Sequence, residues 1–154
     1  MMNKEAVMRW YEVHSPGLFR FALGLLGDRA LAEDAVQETF LRALQKGGAV
    51  LPGRERAWLY RVERNVCLDI LRRRKRESIQ PEVETPALPD SAEQEFLALV
   101  EPLEGTDRDL VCLRIVGGLS HREIAEILHL TPAGAQKRYE RAIHKLRLLY
   151  EEVL

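Results

Sequence analysis

An all-α chain, two small helical domains joined by an acidic extended linker, is the fold the sequence predicts, and three observations carry it. Apolar residues recur at three- and four-residue spacing through residues 18–71 and again through residues 97–146. No stretch reads as a strand. Between the two periodic regions runs SIQPEVETPALPD, acidic, poor in large apolar residues and punctuated by Pro81, Pro86 and Pro89, which predicts a tether rather than a packed element. The domains are then residues 1–76 and 91–154, with the linker at residues 77–90. Residues 77–90 could span at most about 46 Å.

Residues 3–14 are weakly amphipathic, with Val7, Met8 and Tyr11 as inward positions. Ser15-Pro16 reads as a cap and first-turn proline opening a helix that stops at Gly27. Asp28 begins the next, with Leu31, Ala35, Val36, Phe40, Ala43 and Leu44 facing a core and Glu33, Asp34, Gln37, Glu38 and Leu41 on the opposite face. Gly47-Gly48 breaks it, and Pro52-Gly53 punctuates a loop. A long helix from Arg56 to about Arg76 turns Trp58, Leu59, Val62, Val66, Ile70 and Leu71 inward. It ends in five consecutive cations, Arg72 to Arg76, more than a helix dipole accounts for and suited to phosphate.

After the linker, Ser91 with Gln94 caps a helix through Val100, and Thr106 with Asp109 caps another that ends at Gly117-Gly118. Ser120 with Glu123 is a further capping box, opening a helix with Ile124, Ala125, Ile127 and Leu128 on its apolar face. His129 and Leu130 fill the turn, and Thr131-Pro132 starts a last helix. That helix presents Gln136, Lys137, Arg138, Arg141, Lys145 and Arg147 outward, with Ala135, Tyr139, Ala142, Ile143 and Leu146 for packing. The layout is that of a helix-turn-helix whose second helix can enter a major groove. An ordinary αα-hairpin with a solvated basic face has the same pattern.

The net charge of −1 hides segregation. Residues 1–76 hold 15 Lys and Arg against 9 Asp and Glu, residues 77–105 none against 8, and residues 106–154 hold 8 against 7. Near-neutrality therefore does not exclude nucleic acid, because the relevant field is local. No Ser, His and acid fall into a catalytic frame, and no glycine-rich phosphate loop follows a strand, which argues against an enzyme. The four histidines lack metal-ligand spacing, so neither a metal nor a cofactor is expected. Cys67 and Cys112 fall inside apolar helical patterns and read as small buried hydrophobes. No membrane span or cleavable signal is visible, which places the chain in the cytoplasm without membrane insertion.

Three blocks, AEDAVQETFLRAL, AWLYRVERNVCLDILRRRKR and LSHREIAEILHLTPAGAQKRYERAIHKLR, in that order and spacing, resemble the bacterial RNA polymerase sigma factors, specifically the small extracytoplasmic-function (ECF) class that keeps only domains two and four. The resemblance implies an alternative sigma factor that binds core polymerase and directs promoter-specific initiation. It implies that Glu33, Asp34, Gln37, Glu38 and Leu41 dock on the clamp helices of the largest subunit, with the polymerase flap as a further contact. The loop from Gln45 to Glu55 and the face bearing Tyr60, Arg61, Arg64 and Asn65 match the parts that read the minus-ten promoter element and capture a flipped base. Tyr60 is there the better exposed aromatic and Trp58 the core one. Arg72, Arg73 and Arg74 would hold backbone phosphate. Gln136, Lys137, Arg138 and Arg141 match the readers of the upstream minus-thirty-five element, and Arg122 is placed to touch phosphate. The acidic linker resembles the segment that occupies the RNA exit path. An anti-sigma factor is implied as a further partner.

Two features depart from the family: His129 stands in the turn where glycine is usual, and Glu140 lies on the face expected to approach DNA. A stand-alone helix-turn-helix regulator would explain residues 119–147 but leave Glu33 to Leu41 and the basic run without a job. A protein that titrates a partner through its acidic helix is a third reading.

Overall fold

The computed structural model describes residues 2–77 and 90–151, so of the tether expected over residues 77–90 all but its ends lies outside the described residues; Glu77 closes the helix before it and Asp90 caps the helix after it. Among them are seven α-helices: α1 (Lys4–Leu26), α2 (Arg29–Lys46), α3 (Glu55–Glu77), α4 (Ser91–Val100), α5 (Gly105–Ile115), α6 (His121–Leu128) and α7 (Pro132–Glu151). A short 3-10 turn, Gly47–Ala49, follows α2.

The break expected at Ser15-Pro16 does not occur. α1 runs through Pro16, capped by the Asn3 side chain accepting from the Glu5 amide at 2.8 Å and closed by Gly27 at φ 66°. A proline inside a helix costs about 3 kcal/mol, through the i−4 hydrogen bond it removes and the clash of its ring with that carbonyl. Here Glu12 and Pro16 are both exposed, so that carbonyl is not sealed away from solvent. The turns that follow bury Leu18, Phe21 and Leu23 completely, each contributing roughly 1.5–3 kcal/mol, which outweighs the loss. The inward stripe is Val7, Trp10, Leu18 and Phe21; Met8 and Tyr11, expected inward, are 55% and 44% exposed because they lie around the helix from it.

The Asp28 carboxylate accepts from the Leu31 amide at 3.1 Å and starts α2 as expected. Two caps differ from expectation. α4 is capped one residue earlier, by Asp90 in a reciprocal box with Glu93, since the carboxylate pair closes both bonds at 2.8 and 3.0 Å. α5 begins at Gly105 without a side-chain cap, and Asp109 does not serve Thr106 at all. It turns instead toward α3, where Arg64 offers a charged donor.

α1, α2 and α3 enclose one apolar cluster, formed by Ala22, Leu23, Ala32, Ala35, Val66 and Cys67. α5 and α7 enclose another through Leu103, Val111, Ala142 and Leu146. The largest cluster belongs to both halves of the chain: Phe21, Leu59 and Tyr60 are continuous with Leu110, Cys112, Leu113, Leu119 and Ile124. α4 and α5 lie along α1, and α6 reaches α3. Cys67 and Cys112 are buried and free, as their apolar setting predicts.

Candidate nucleic-acid interface

The α6–α7 unit is positioned by short polar bonds around an apolar wedge. Ser120 Oγ accepts from the Glu123 amide at 3.1 Å while Glu123 Oε1 accepts from the Ser120 amide at 3.0 Å. Thr131 Oγ1 accepts from the Gly134 amide at 3.0 Å, which starts α7. Arg114 donates to the Leu119 carbonyl at 2.8 Å and fixes the entry to α6. Ile124, Ala125, Ile127 and Leu128 are buried on α6, and Ala135, Ala142 and Leu146 on α7. His129 ends α6 in the left-handed region at φ 58°, the conformation for which glycine is usual. Gln136, Lys137, Arg138 and Arg141 are all exposed along one side of α7, and Arg122 is exposed on α6. Glu140 accepts from Gln136 Nε2 at 3.3 Å, so the carboxylate met on this face is partly occupied within the helix.

On α2, Glu33, Asp34, Gln37 and Glu38 are exposed, and Leu41 is 53% exposed beside them. Positions 34, 37, 38 and 41 share one face at helical spacing. Arg29 and Arg42 approach Glu33 and Glu38 at 3.4 and 3.3 Å, surface pairs that screen the stripe without hiding it.

α3 carries the second cationic surface. Arg61 and Asn65 are exposed, as are Arg72, Arg73 and Arg74. Part of the basic run has structural work: Arg74 donates to the Leu26 carbonyl of α1 at 3.4 Å, Arg76 to the Arg72 carbonyl at 3.5 Å, and Arg72 pairs with Asp69 at 3.3 Å. Arg64 is not free in this arrangement; its Nε lies 2.9 Å from the Asp109 carboxylate, with both side chains largely covered. Tyr60, expected to be exposed, is 3% exposed and stacks edge-on against Phe21 at 5.5 Å. The half-exposed aromatic is Trp58, tilted against Trp10 at 6.2 Å. Placing Tyr60 outward failed because Gly17 and Phe21 of α1 and the turn at Gly117 cover that side of α3, which no local pattern announces.

A cleft of about 310 Å3 lies between the loop after α2, α3 and α6. Lys46, Arg54, Arg61 and Trp58 line one side, and Glu123, Glu126 and Ile127 the other. Sequence reasoning missed this facing of charges, and it missed Glu63. That carboxyl is fully buried on α3, neither oxygen finds a partner, and desolvation raises its pKa well above the usual value. Its signal was present: Glu63 interrupts the apolar positions Leu59, Tyr60, Val66 and Cys67. Burial likewise raises Asp109, against the opposing pull of Arg64. Burial pushes the Cys112 thiol up to about 12. Among the described residues no cluster of His, Cys, Asp and Glu could hold a metal, and no helix is long and apolar enough to cross a membrane.

Comparison with known proteins identifies the family. Residues 10–77 match Sigma-70 region 2, and residues 93–146 match Sigma-70 region 4. The chain is 34% identical to the ECF RNA polymerase sigma factor SigL of Mycobacterium tuberculosis, over 96% of this chain and 91% of the relative. It is 27% identical to SigM of Bacillus subtilis, over 91% and 92%. The structure superimposes on the sigma factor RpoE of Bartonella quintana, solved with the anti-sigma factor NepR, with a TM-score of 0.78 at 25% identity over 94% of this chain and 96% of that one. It also resembles CnrH, solved with the cytosolic domain of CnrY, with a TM-score of 0.75 at 25% identity over 97% and 90%. Two regions of the family in their order, with a relative 34% identical over 96% of the chain, establish that the chain belongs to the ECF RNA polymerase sigma factors.

Proposed function

We propose that this alternative sigma factor joins core RNA polymerase through the α2 face and reads promoter DNA with two separate basic surfaces, carrying out no reaction of its own. Glu33, Asp34, Gln37 and Glu38 would meet a basic surface of the largest subunit while Leu41 supplies an apolar anchor. Gln136, Lys137, Arg138 and Arg141 would read the upstream element in the major groove, where Gln suits adenine and Arg suits guanine, with Arg122 on phosphate. Arg61, Arg64, Asn65 and the loop from Gln45 to Glu55 would read the minus-ten element. Arg72 and Arg73 would hold phosphate, with Arg74 divided between DNA and the end of α1. Trp58, half-exposed in the cleft, replaces Tyr60 as the aromatic available to an unstacked base. An anti-sigma factor is the expected inhibitor, and the cytoplasm the expected place of work.

The observation that carries this reading is the match of both regions, in order, across most of one chain. A stand-alone operator-binding protein would have no use for residues 10–77. The test is reconstitution: purified chain, core polymerase and a randomised promoter library. Selective initiation from a defined set of sequences is expected. Core polymerase that initiates no differently with the chain than without it rules the reading out.

A further inference from the structure

One carboxylate of α7 has no part in the promoter reading above. Glu140 is exposed, and positions 136, 137, 140 and 141 share the outward side of the helix at helical spacing. A negative charge on a surface that meets phosphate weakens binding to every sequence alike. Lys137, Arg138, Arg141 and Lys145 stand on the same helix, yet among the described residues none of them pairs with this carboxylate. Its partner is neutral: Glu140 Oε1 accepts from Gln136 Nε2 at 3.3 Å, one turn earlier. A pair of this kind on an exposed helix adds little to stability, so helix formation does not account for the residue. Its charge stands unneutralised among the cations that approach DNA.

The chemistry of base edges does account for it. A carboxylate only accepts hydrogen bonds. In the major groove guanine offers N7 and O6 and thymine offers O4, all acceptors, which a carboxylate repels. Adenine offers an amino donor beside its N7 acceptor, so attraction and repulsion meet at neighbouring atoms. Cytosine offers its N4 amino group with no acceptor beside it. The guanine paired with that cytosine turns N7 and O6 toward a cation, and Lys137 and Arg141 flank Glu140 on the outward side. The bond from Gln136 reaches Oε1 and leaves Oε2 for the base. Four residues of helix rise about 6 Å, roughly two base steps, so Gln136 addresses a neighbouring pair of the same site. We propose that Glu140 is a specificity-determining residue that fixes a cytosine in the upstream promoter element, its carboxylate accepting from the cytosine N4 amino group. This deepens the major-groove reading of α7 given above and rests on it. The carboxylate lowers affinity for every sequence by repelling phosphate and recovers it where cytosine stands, so its contribution is selectivity.

The test uses holoenzyme assembled from core polymerase and the full chain, with the upstream element randomised, for wild type, Glu140→Ala and Glu140→Gln. Initiating promoters are sequenced, and the base preference at each upstream position is compared. Glu140 is exposed and both replacements form helix at least as well, so the variants keep the fold. The wild type should select cytosine at one upstream position by roughly five- to 150-fold over the other bases. Glu140→Ala should lose the preference at that position alone. It should also initiate better than wild type on promoters lacking the cytosine, because a charge that repels phosphate is gone. Glu140→Gln should move the preference there from cytosine toward adenine, whose N6 and N7 an amide meets bidentately. A wild type that selects no cytosine in the upstream element overturns the proposal. So does a Glu140→Ala chain whose preferences match the wild type throughout, or one that weakens all of them equally, as a merely structural role would. A Glu140→Gln chain that keeps cytosine overturns it as well. Wild-type holoenzyme that initiates at no selected sequence strikes the sigma reading itself, and this proposal with it.

Discussion

Replacing Glu63 by methionine should stabilise the protein, an unusual result for a core position. The side chain is fully buried, neither carboxyl oxygen has a partner, and burial alone raises its pKa. A buried neutral polar group left unsatisfied costs about 1–3 kcal/mol, and holding a proton at neutral pH adds to this. Methionine is similar in length, unbranched and adaptable, so the packing of Leu59, Val66 and Cys67 around it can be kept. For a chain of 150–250 residues each kcal/mol moves Tm by about 2–4 °C, so the gain expected at pH 7 is roughly 2–12 °C. The pH dependence identifies the cause. A carboxyl whose pKa is raised on folding contributes its stability in full below its ordinary value of 4.5, and that contribution is lost as pH rises through the folded value. The charged groups around it do not reverse this: Tyr60 and Cys67 are raised chiefly by burial and further by Glu63, while Arg20 and Arg56 act on Tyr60. Asp109, raised by burial despite Arg64, slopes the same way and persists in the variant. Melting curves followed by circular dichroism from pH 5 to pH 9 should therefore fall with pH in the wild type and fall less in Glu63→Met. A variant that melts lower, or that keeps the full wild-type slope, refutes the reasoning.

Reversing charge at Glu33 and Asp34 to lysine should weaken core polymerase binding in a pull-down titration while free-chain affinity for duplex DNA does not fall; equal loss of both would show that α2 is not the docking face. Arg141→Ala should lose roughly 1–3 kcal/mol of binding at the selected upstream element, measured by competition, and almost nothing on scrambled sequence if it contacts a base. His129→Gly should raise Tm by a few degrees, since left-handed backbone costs a non-glycine residue about 1–2 kcal/mol, less what glycine forfeits in the unfolded chain. Native Cys112 should react with iodoacetamide far more slowly than a free thiol, its pKa being pushed up to about 12 in a buried site, and Gly24→Val, whose Cβ would lie 3.2 Å from Cys112 Sγ and crowd its cover, should speed the reaction.

Much of the fold was legible because its signals are local. Ser120 with Glu123, Thr131 before Pro132, Asp28 and Gly27 all cap or close helices where their chemistry predicts. Pro16 misled because the rule for proline in a helix ignores tertiary burial, and Leu18 and Phe21 supply it. Asp109 looked like half of a capping box and proved to be the partner of a residue 45 positions earlier. No periodicity encodes such a contact, nor the cover that hides Tyr60. The outward residues of α2 and α7 were readable, since an amphipathic helix announces its wet side. What Arg64 and the cleft cations face was not, because that depends on how one half rests on the other.

The charge matching across the cleft gives ionic strength two opposed roles in the free chain. Added salt screens the pull of cations on a nucleic acid backbone, and the same ions loosen the exposed attraction between Glu123, Glu126 and the residues opposite. Titrating salt against the free protein would then trace a shallower line than its number of basic contacts suggests, with the missing slope a measure of how many counterions the protein supplies from its own sequence.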